Sequence, residues 1–169
     1  MINYVRNKYA FLFFLLKYFD NCHEILFNIF KKKSPPKLLL KNGFIIETDR
    51  ERSIIDMIKE IWHDEVYTPT PTISIQNDDV VVDIGANVGI FSLFASTKTK
   101  NKIYCYEPFP PIFDLLQENI KKNHINNIIS NQIGISKIAG QGKINISGGG
   151  ICGGNTLLDF ESFPGRNQV

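Results

Sequence analysis

The sequence predicts an α/β fold: a Rossmann-like, doubly wound parallel sheet, preceded by a helical amino-terminal extension. Three observations carry that expectation. From residue 78 onward, short apolar runs of strand length alternate with amphipathic segments of helix length. The first run, residues 80–84 (VVVDI), ends in a glycine-bearing turn that opens directly into a helical segment. The composition, 43% hydrophobic and 21% charged over 169 residues, is that of an ordinary globular chain with enough apolar material for one core.

Residues 1–42 read as an amphipathic helical arm. Between residues 9 and 30 the segment is strongly apolar, but Lys17, Asp20, Asn21 and Glu24 interrupt it, so it is not a clean membrane span. No small-residue cleavage signal follows, which argues against a secretory leader. Leu12, Leu15, Leu16, Phe19, Cys22, Leu26, Ile29 and Phe30 recur at helical spacing and are expected on one inward face. Lys31, Lys32 and Lys33 suit a helix carboxyl end, and Pro35 and Pro36 stop it. Two uses stay open. The helix packs on the domain or on a partner, or residues 9–33 lie on an anionic membrane surface. The expected location is cytoplasmic, with peripheral membrane contact as the second option.

Residues 43–77 form a lead-in. Residues 43–48 (GFIIET) read as a strand, residues 52–63 as a helix with Ile54, Ile55, Ile58 and Ile61 or Trp62 inward, and residues 67–72 (YTPTPT) as a loop. The domain proper is expected over 78–160, with a tail at 161–169. Its elements are a buried parallel strand at 80–84, a helix at 89–97, a strand at 102–106, a helix at 110–123 with prolines in its first turn, a strand at 127–133 and a further strand at 142–146. Residues 147–155 (SGGGICGGN) read as a flexible loop. Ile, Asn and Lys are abundant, which by itself carries no function.

The net charge of +2 is unevenly spread. Residues 1–42 hold eight Lys/Arg against two Asp/Glu; the remainder holds eleven against fifteen. The domain is mildly acidic, so a phosphate-tracking groove and a nucleic-acid partner are not expected. Cys22, Cys105 and Cys152 are far apart and form neither a disulfide framework nor a zinc spacing. A reducing compartment is the simplest reading, and no metal is expected.

The chemistry resides in Asp83-Ile84-Gly85-Ala86-Asn87-Val88-Gly89 and in Glu107, 24 residues after Asp83. Gly85 and Gly89 let the backbone bend and approach a ligand. The following helix presents free N–H groups. Asp83 offers a negative charge beside the turn, which suits an amino group and repels pyrophosphate. Glu107 can accept both hydroxyls of a ribose, and Phe109 can pack on an adenine. Amine, ribose and adenine together describe S-adenosylmethionine, with Asp83, Gly85, Ala86, Asn87, Gly89, Glu107 and Phe109 as the candidate cofactor residues. Each also has a purely structural use: a tight turn for the glycines, a brace for Asp83, a helix-end charge for Glu107, core packing for Phe109. A nicotinamide-type fingerprint, G-x-G-x-x-G, does not match because Asn87 replaces the middle glycine.

With those residues in place, residues 79–135 resemble the FkbM family of methyltransferases: the DIGANVG turn, the YEPFP strand end, the LLQENIKKN helix and NQIGIS, with Glu65-Val66-Tyr67 upstream. The resemblance implies a class I S-adenosylmethionine-dependent O-methyltransferase acting on a sugar or related hydroxyl in glycan or natural-product assembly. It implies that Asp83, Gly85, Asn87 and Gly89 line the amino-acid and ribose side of the cofactor, and that Glu107 holds the ribose hydroxyls. The family's later D-x-E-G strand has no counterpart here. The sheet is therefore expected to be incomplete, and an inactive or partial remnant, or a docking module built on residues 9–33, stands as the alternative. No catalytic base is assigned, since His63, Asp64 and His124 lie outside the matched turns.

Overall fold

A computed structural model describes residues 2–50, 53–137, 139–145 and 156–162. The expected loop at 147–155, Cys152 within it, and the end of the tail lie outside the described residues.

The chain opens with two helices, α1 (Ile2–Tyr18) and α2 (Cys22–Phe30). A short antiparallel hairpin follows, β1 (Lys37–Leu39) and β2 (Ile45–Glu47), with Leu38 opposite Ile46. Next come α3 (Ser53–Ile58) and a π-helical turn at Lys59–His63. The parallel unit then runs β3 (Val81–Ile84), α4 (Ile90–Ser96), β4 (Ile103–Tyr106), α5 (Pro110–Lys122) and β5 (Ile128–Asn131). Its strands are ordered β3-β4-β5, all parallel, with Val81 opposite Ile103 and Ile103 opposite Ile128. This is a Rossmann-like α/β fold, as the alternating pattern predicts. The described residues supply one wound half of it. Both crossovers advance in the same direction, so right-handed connections put α4 and α5 on the same face.

That one-sidedness corrects the reading of β3 as fully buried. Asp83 and, from the neighbouring strands, Ile103, Cys105 and Ile128 face the helices and are buried. Val80, Val82, Ile84 and Ile129 face the other way and are exposed. An apolar run cannot by itself distinguish a strand covered on both faces from one covered on a single face. The expected further strand near 142–146 also does not join this sheet. It forms β6 (Gly140–Asn145), paired antiparallel with β7 (Thr156–Ser162) in a separate two-stranded sheet.

The predicted helix over residues 9–30 is two helices. The break falls at Phe19–Asn21, where Asn21 turns inward to meet β1: its amide oxygen accepts from Leu39 N (3.0 Å), and its nitrogen donates to Lys37 O (2.9 Å). The inward face is also rotated from the one expected. Phe14, Leu15, Phe19 and Ile25 are fully buried, whereas Leu12, Leu16, Leu26 and Phe30 are exposed. Two apolar stripes share α1, one at 11, 14, 15 and 18 and one at 9, 12, 13 and 16, and spacing alone does not say which packs. The buried stripe is anchored where Tyr18 donates to Trp62 O (3.1 Å) and Phe14 packs on the ring of His63. No described helix is long and apolar enough to cross a membrane.

This amino-terminal layer covers the outer side of α4. Ile54, Ile55, Ile58, Ile61 and Trp62 are all buried, as expected, and the π-helical turn lets adjacent Ile61 and Trp62 both point inward. Trp62 donates its indole N–H to Ile90 O (3.2 Å) and sets its ring edge-on to Phe94. Sandwiched between sheet and layer, α4 is apolar nearly all round: Ile90, Leu93, Phe94 and Ala95 are buried.

Adjacent phenylalanines separate the two stripes of α1. Phe14 is 1% exposed and Phe13 65%. Phe14→Ala should cost about 3–5 kcal/mol, and Phe13→Ala no more than about 0.5 kcal/mol. Urea titration of both variants measures the difference; equal losses would show that the packed face is wrongly assigned.

Candidate cofactor site

Three residues of the turn after β3 take left-handed backbone angles: Gly85 (φ 78°), Asn87 (φ 51°) and Gly89 (φ 92°). Glycine adopts these freely, and asparagine is among the side chains that tolerate them best. The turn is hung on the neighbouring strand: Gly85 N and Ala86 N both donate to Tyr106 O, at 2.9 and 3.0 Å. Gly89 is needed for a second reason. A Cβ there would stand 2.6 Å from Leu116 Cδ1, and Leu116 is fully buried in α5. At Gly85 nothing lies within 4 Å of where a Cβ would be, and the residue is exposed, so its backbone faces open space.

Glu107 joins the two loops. It is 8% exposed; Oε2 accepts from Asn87 N (3.0 Å) and Oε1 from Phe109 N (3.0 Å). A buried carboxylate is tolerated when N–H groups satisfy it. Each oxygen retains a further acceptor position, so two hydroxyls can still be received. Phe109 is half-buried against the core at the start of α5.

Asp83 and Ala86 lie elsewhere than expected. Asp83 points into the helix layer, where Ser92 Oγ donates to its Oδ2 (2.6 Å). Burial raises its carboxyl above the usual carboxylate range, partly offset by the Ser92 hydrogen bonds. It braces the turn from beneath rather than offering a charge beside it. Ala86 is likewise buried. On β4, burial pushes the Cys105 thiol up to about 11, so it stays protonated at neutral pH. His63 packs against Phe14 and Tyr18, Asp64 pairs with Lys59, and His124 is exposed after α5.

The structure therefore brings Gly85, Asn87, Gly89, Glu107 and Phe109 together around two adjoining loops and sets Asp83 and Ala86 behind them. These residues fit an adenosyl group: an open glycine backbone, a carboxylate with spare acceptor positions and a neighbouring aromatic side chain. Two supporting residues were not foreseen. One is Ser92. The other is Asn119, fully buried, whose Nδ2 donates to Val88 O at 2.9 Å. Its sequence signal was spacing, because Asn119 and Asn123 continue the inward stripe of Ile112 and Leu116.

A TRM5/TYW2 methyltransferase domain model matches residues 51–144. The chain belongs to the TRM5/TYW2 methyltransferase family. Its cofactor is the one the turn suggested, S-adenosylmethionine. Methyltransferase 1 of Beauveria bassiana is 30% identical over 80 residues, 47% of this chain and 31% of that protein. Methyltransferase sdnD of Sordaria araneosa is 34% identical over 84 residues, 48% of this chain and 31% of that protein. The chain thus spans about a third of the length of these relatives. Among solved structures, the M. jannaschii tRNA m1G37 methyltransferase is 26% identical with a TM-score of 0.44, over 63% of this chain and 33% of that one. A complex of aTrm5 with tRNALeu is 23% identical with a TM-score of 0.43, over 63% and 30%.

Membership of the TRM5/TYW2 family overturns the FkbM resemblance. The glycan or small-molecule hydroxyl as acceptor falls with it, and so does the exclusion of nucleic acid. The physical reasons are plain. The D-x-G-x-N-x-G turn and the acid ending the next strand are candidates for the cofactor and say nothing of the acceptor. A segment's summed charge does not describe its local surface, and the cationic excess sits in residues 1–42.

The turn yields two stability predictions. Gly89→Ala should lose about 2 kcal/mol or more, from left-handed strain plus the Leu116 contact, and Gly85→Ala only about 1 kcal/mol, from strain alone. Chemical denaturation of both variants ranks them; a Gly85→Ala loss equal to or above that of Gly89→Ala would refute the packing of α5 on the turn. Asp83 has a raised pKa in the folded state, so its contribution is fully present below the ordinary carboxylate pKa and is lost as pH rises through the raised value. Asp83→Asn should abolish that loss, so that the variant gains on the parent between mildly acidic and neutral pH. A constant difference across melting curves at pH 4 to 8 would count against it.

Proposed function

We propose that this chain is the cofactor-binding part of a tRNA methyltransferase that methylates a ring nitrogen of guanine. The observation that carries the acceptor part of this reading is membership of the TRM5/TYW2 family, and the Glu107 bridge between the two loops supports the cofactor part. The relative described as a tRNA m1G37 methyltransferase supports guanine N1 as the acceptor class.

When bound, S-adenosylmethionine supplies a methyl group activated by its sulfonium sulfur. The chain's own residues do the positioning. Gly85, Asn87 and Gly89 shape a backbone surface that a ligand can approach, with Gly85 open on its outer side. Glu107 fixes the spacing of the two loops through Asn87 N and Phe109 N and offers its remaining acceptor positions to ribose hydroxyls. Phe109 flanks the adenine side. Asp83, with Ser92, holds the end of β3 against α4. Fixing both reactants is the larger part of such a rate enhancement, because it converts an encounter into an aligned, near-contact geometry. Exposed Lys31, Lys32 and Lys33 give the amino-terminal layer a surface that attracts phosphate.

Glu107→Gln places an amide nitrogen where an N–H donor now has an acceptor. It should weaken S-adenosylmethionine binding by about tenfold or more, as loss of a charge-assisted hydrogen bond does. Isothermal titration of parent and variant measures this, and unchanged affinity would remove Glu107 from the site. Methyl transfer from labelled cofactor to a tRNA transcript, compared with a transcript whose guanine 37 is replaced, tests the acceptor. Transfer that ignores the replacement would overturn guanine 37 as the acceptor, and tRNA binding no stronger than heparin binding would overturn the tRNA reading.

A further inference from the structure

Asn119 sits where three parts of the molecule meet, and it is fully buried. Its amide oxygen accepts from Glu47 N (2.7 Å) on β2. Its amide nitrogen donates to Glu47 O (3.2 Å) and to Val88 O (2.9 Å) in the cofactor turn. One turn further along α5, Asn123 does the same for Ile45: its oxygen accepts from Ile45 N (2.8 Å) and its nitrogen donates to Ile45 O (2.7 Å). Asn123 therefore ties the hairpin to α5 but does not reach the turn. Asn119 ties hairpin, helix and turn together.

The turn's other ties run through its N–H groups, Gly85 N and Ala86 N to Tyr106 O and Asn87 N to Glu107, and none of these reaches Val88 O. Three of its five residues sit at left-handed angles, and Gly89 is pressed against Leu116. Val88 O faces inward, toward α5, and Asn119 satisfies it there. Without that donor, a buried carbonyl beside a strained turn is left with an unmet hydrogen bond, and the turn can relax by rotating its peptides.

We infer that Asn119 is a positioning residue for the cofactor turn: by bonding Val88 O it sets the turn that receives S-adenosylmethionine, and it couples that turn to the amino-terminal hairpin. The inference rests on the proposed cofactor role of residues 85–89. It adds a residue that touches no ligand and acts through the backbone of Val88.

The test compares Asn119→Ser with Asn123→Ser in the full chain. Both variants cut one tie to the hairpin and both should melt lower; only the first cuts the tie to the turn. Amide hydrogen exchange at residues 85–89, without ligand, should be about fivefold faster in Asn119→Ser, the equivalent of one net hydrogen bond, and unchanged in Asn123→Ser. S-adenosylmethionine affinity should fall by a similar factor of about five in the first and by less than about twofold in the second. Equal exchange at the turn in both variants would overturn the inference, as would equal shifts in affinity. Should Asn119→Ser fail to fold, Asn119→Gln keeps an uncharged carboxamide, shifts it from Val88 O by one methylene and carries the same comparison. If the parent itself binds no cofactor, the proposed function fails, while the exchange comparison still decides whether Asn119 holds the turn.

Discussion

A two-stranded hairpin has two open edges, and the arrangement of this molecule depends on how the edges of β1–β2 are closed. Backbone N–H and C=O groups on a buried edge must find partners. Here asparagine side chains supply them. Asn21 meets Lys37 and Leu39 on the outer edge of β1, and Asn119 and Asn123 meet Glu47 and Ile45 on the outer edge of β2. A carboxamide carries one acceptor and two donors, so it reproduces a neighbouring strand's pairing at a single position. Each asparagine sits on or beside a helix. The hairpin is thereby fastened to the break between α1 and α2 on one side and to α5 on the other.

That fastening gives the amino-terminal layer its place. With β2 held on α5, the segment that follows carries Ile61 and Trp62 over α4, and Trp62 bonds Ile90 O at the start of that helix. The layer therefore bears on the same helix that leaves the cofactor turn. Glu107 holds the turn from the β4 side and Asn119 from the α5 side, so the turn is clamped between two polar contacts on opposite flanks. Apolar packing alone would not fix peptide orientation there, because dispersion is nearly indifferent to rotation of a peptide plane. Directional hydrogen bonds do fix it.

The parallel unit was legible in the sequence because its signals are local. Alternating strand and helix periods, prolines opening α5 and a glycine turn after β3 each act within a few residues. Glu107 was legible because it ends a strand. The hairpin was only half legible: β2 was expected, but β1, three residues long after a Pro-Pro pair, carries no period of its own. The asparagines were legible only as spacing: Asn119 and Asn123 continue the inward stripe of Ile112 and Leu116, but nothing nearby in the sequence names what they bond. Their partners lie 16 to 78 residues away, and an asparagine in a lysine-rich helix reads as solvated surface. The packed stripe of α1 failed differently. Two stripes of similar hydropathy compete for one contact, and the choice between Phe13 and Phe14 is made by the shape of the layer beneath. Asp83 was placed correctly on its strand, but alternation along β3 turns it to the helix face, where Ser92 bonds it.

The family assignment followed the same division between local and distant information. Residues 83–109 carry the local signals from which the candidate cofactor site was legible: a glycine turn after one strand and an acid at the end of the next. Neither the turn nor the strand-end acid carries information about an acceptor, so no motif of this kind reports one. The layer that holds the turn is assembled from distant parts of the chain. The most cationic part of the chain, residues 1–42, is not a loose tail: Phe14, Leu15, Phe19 and Ile25 bury into the core, and Asn21 grips the hairpin that Asn119 links to the turn. The amino-terminal helices and the turn after β3 therefore share a single chain of hydrogen bonds, which runs from Asn21 through the hairpin to Glu47 and Asn119 and ends at Val88 O.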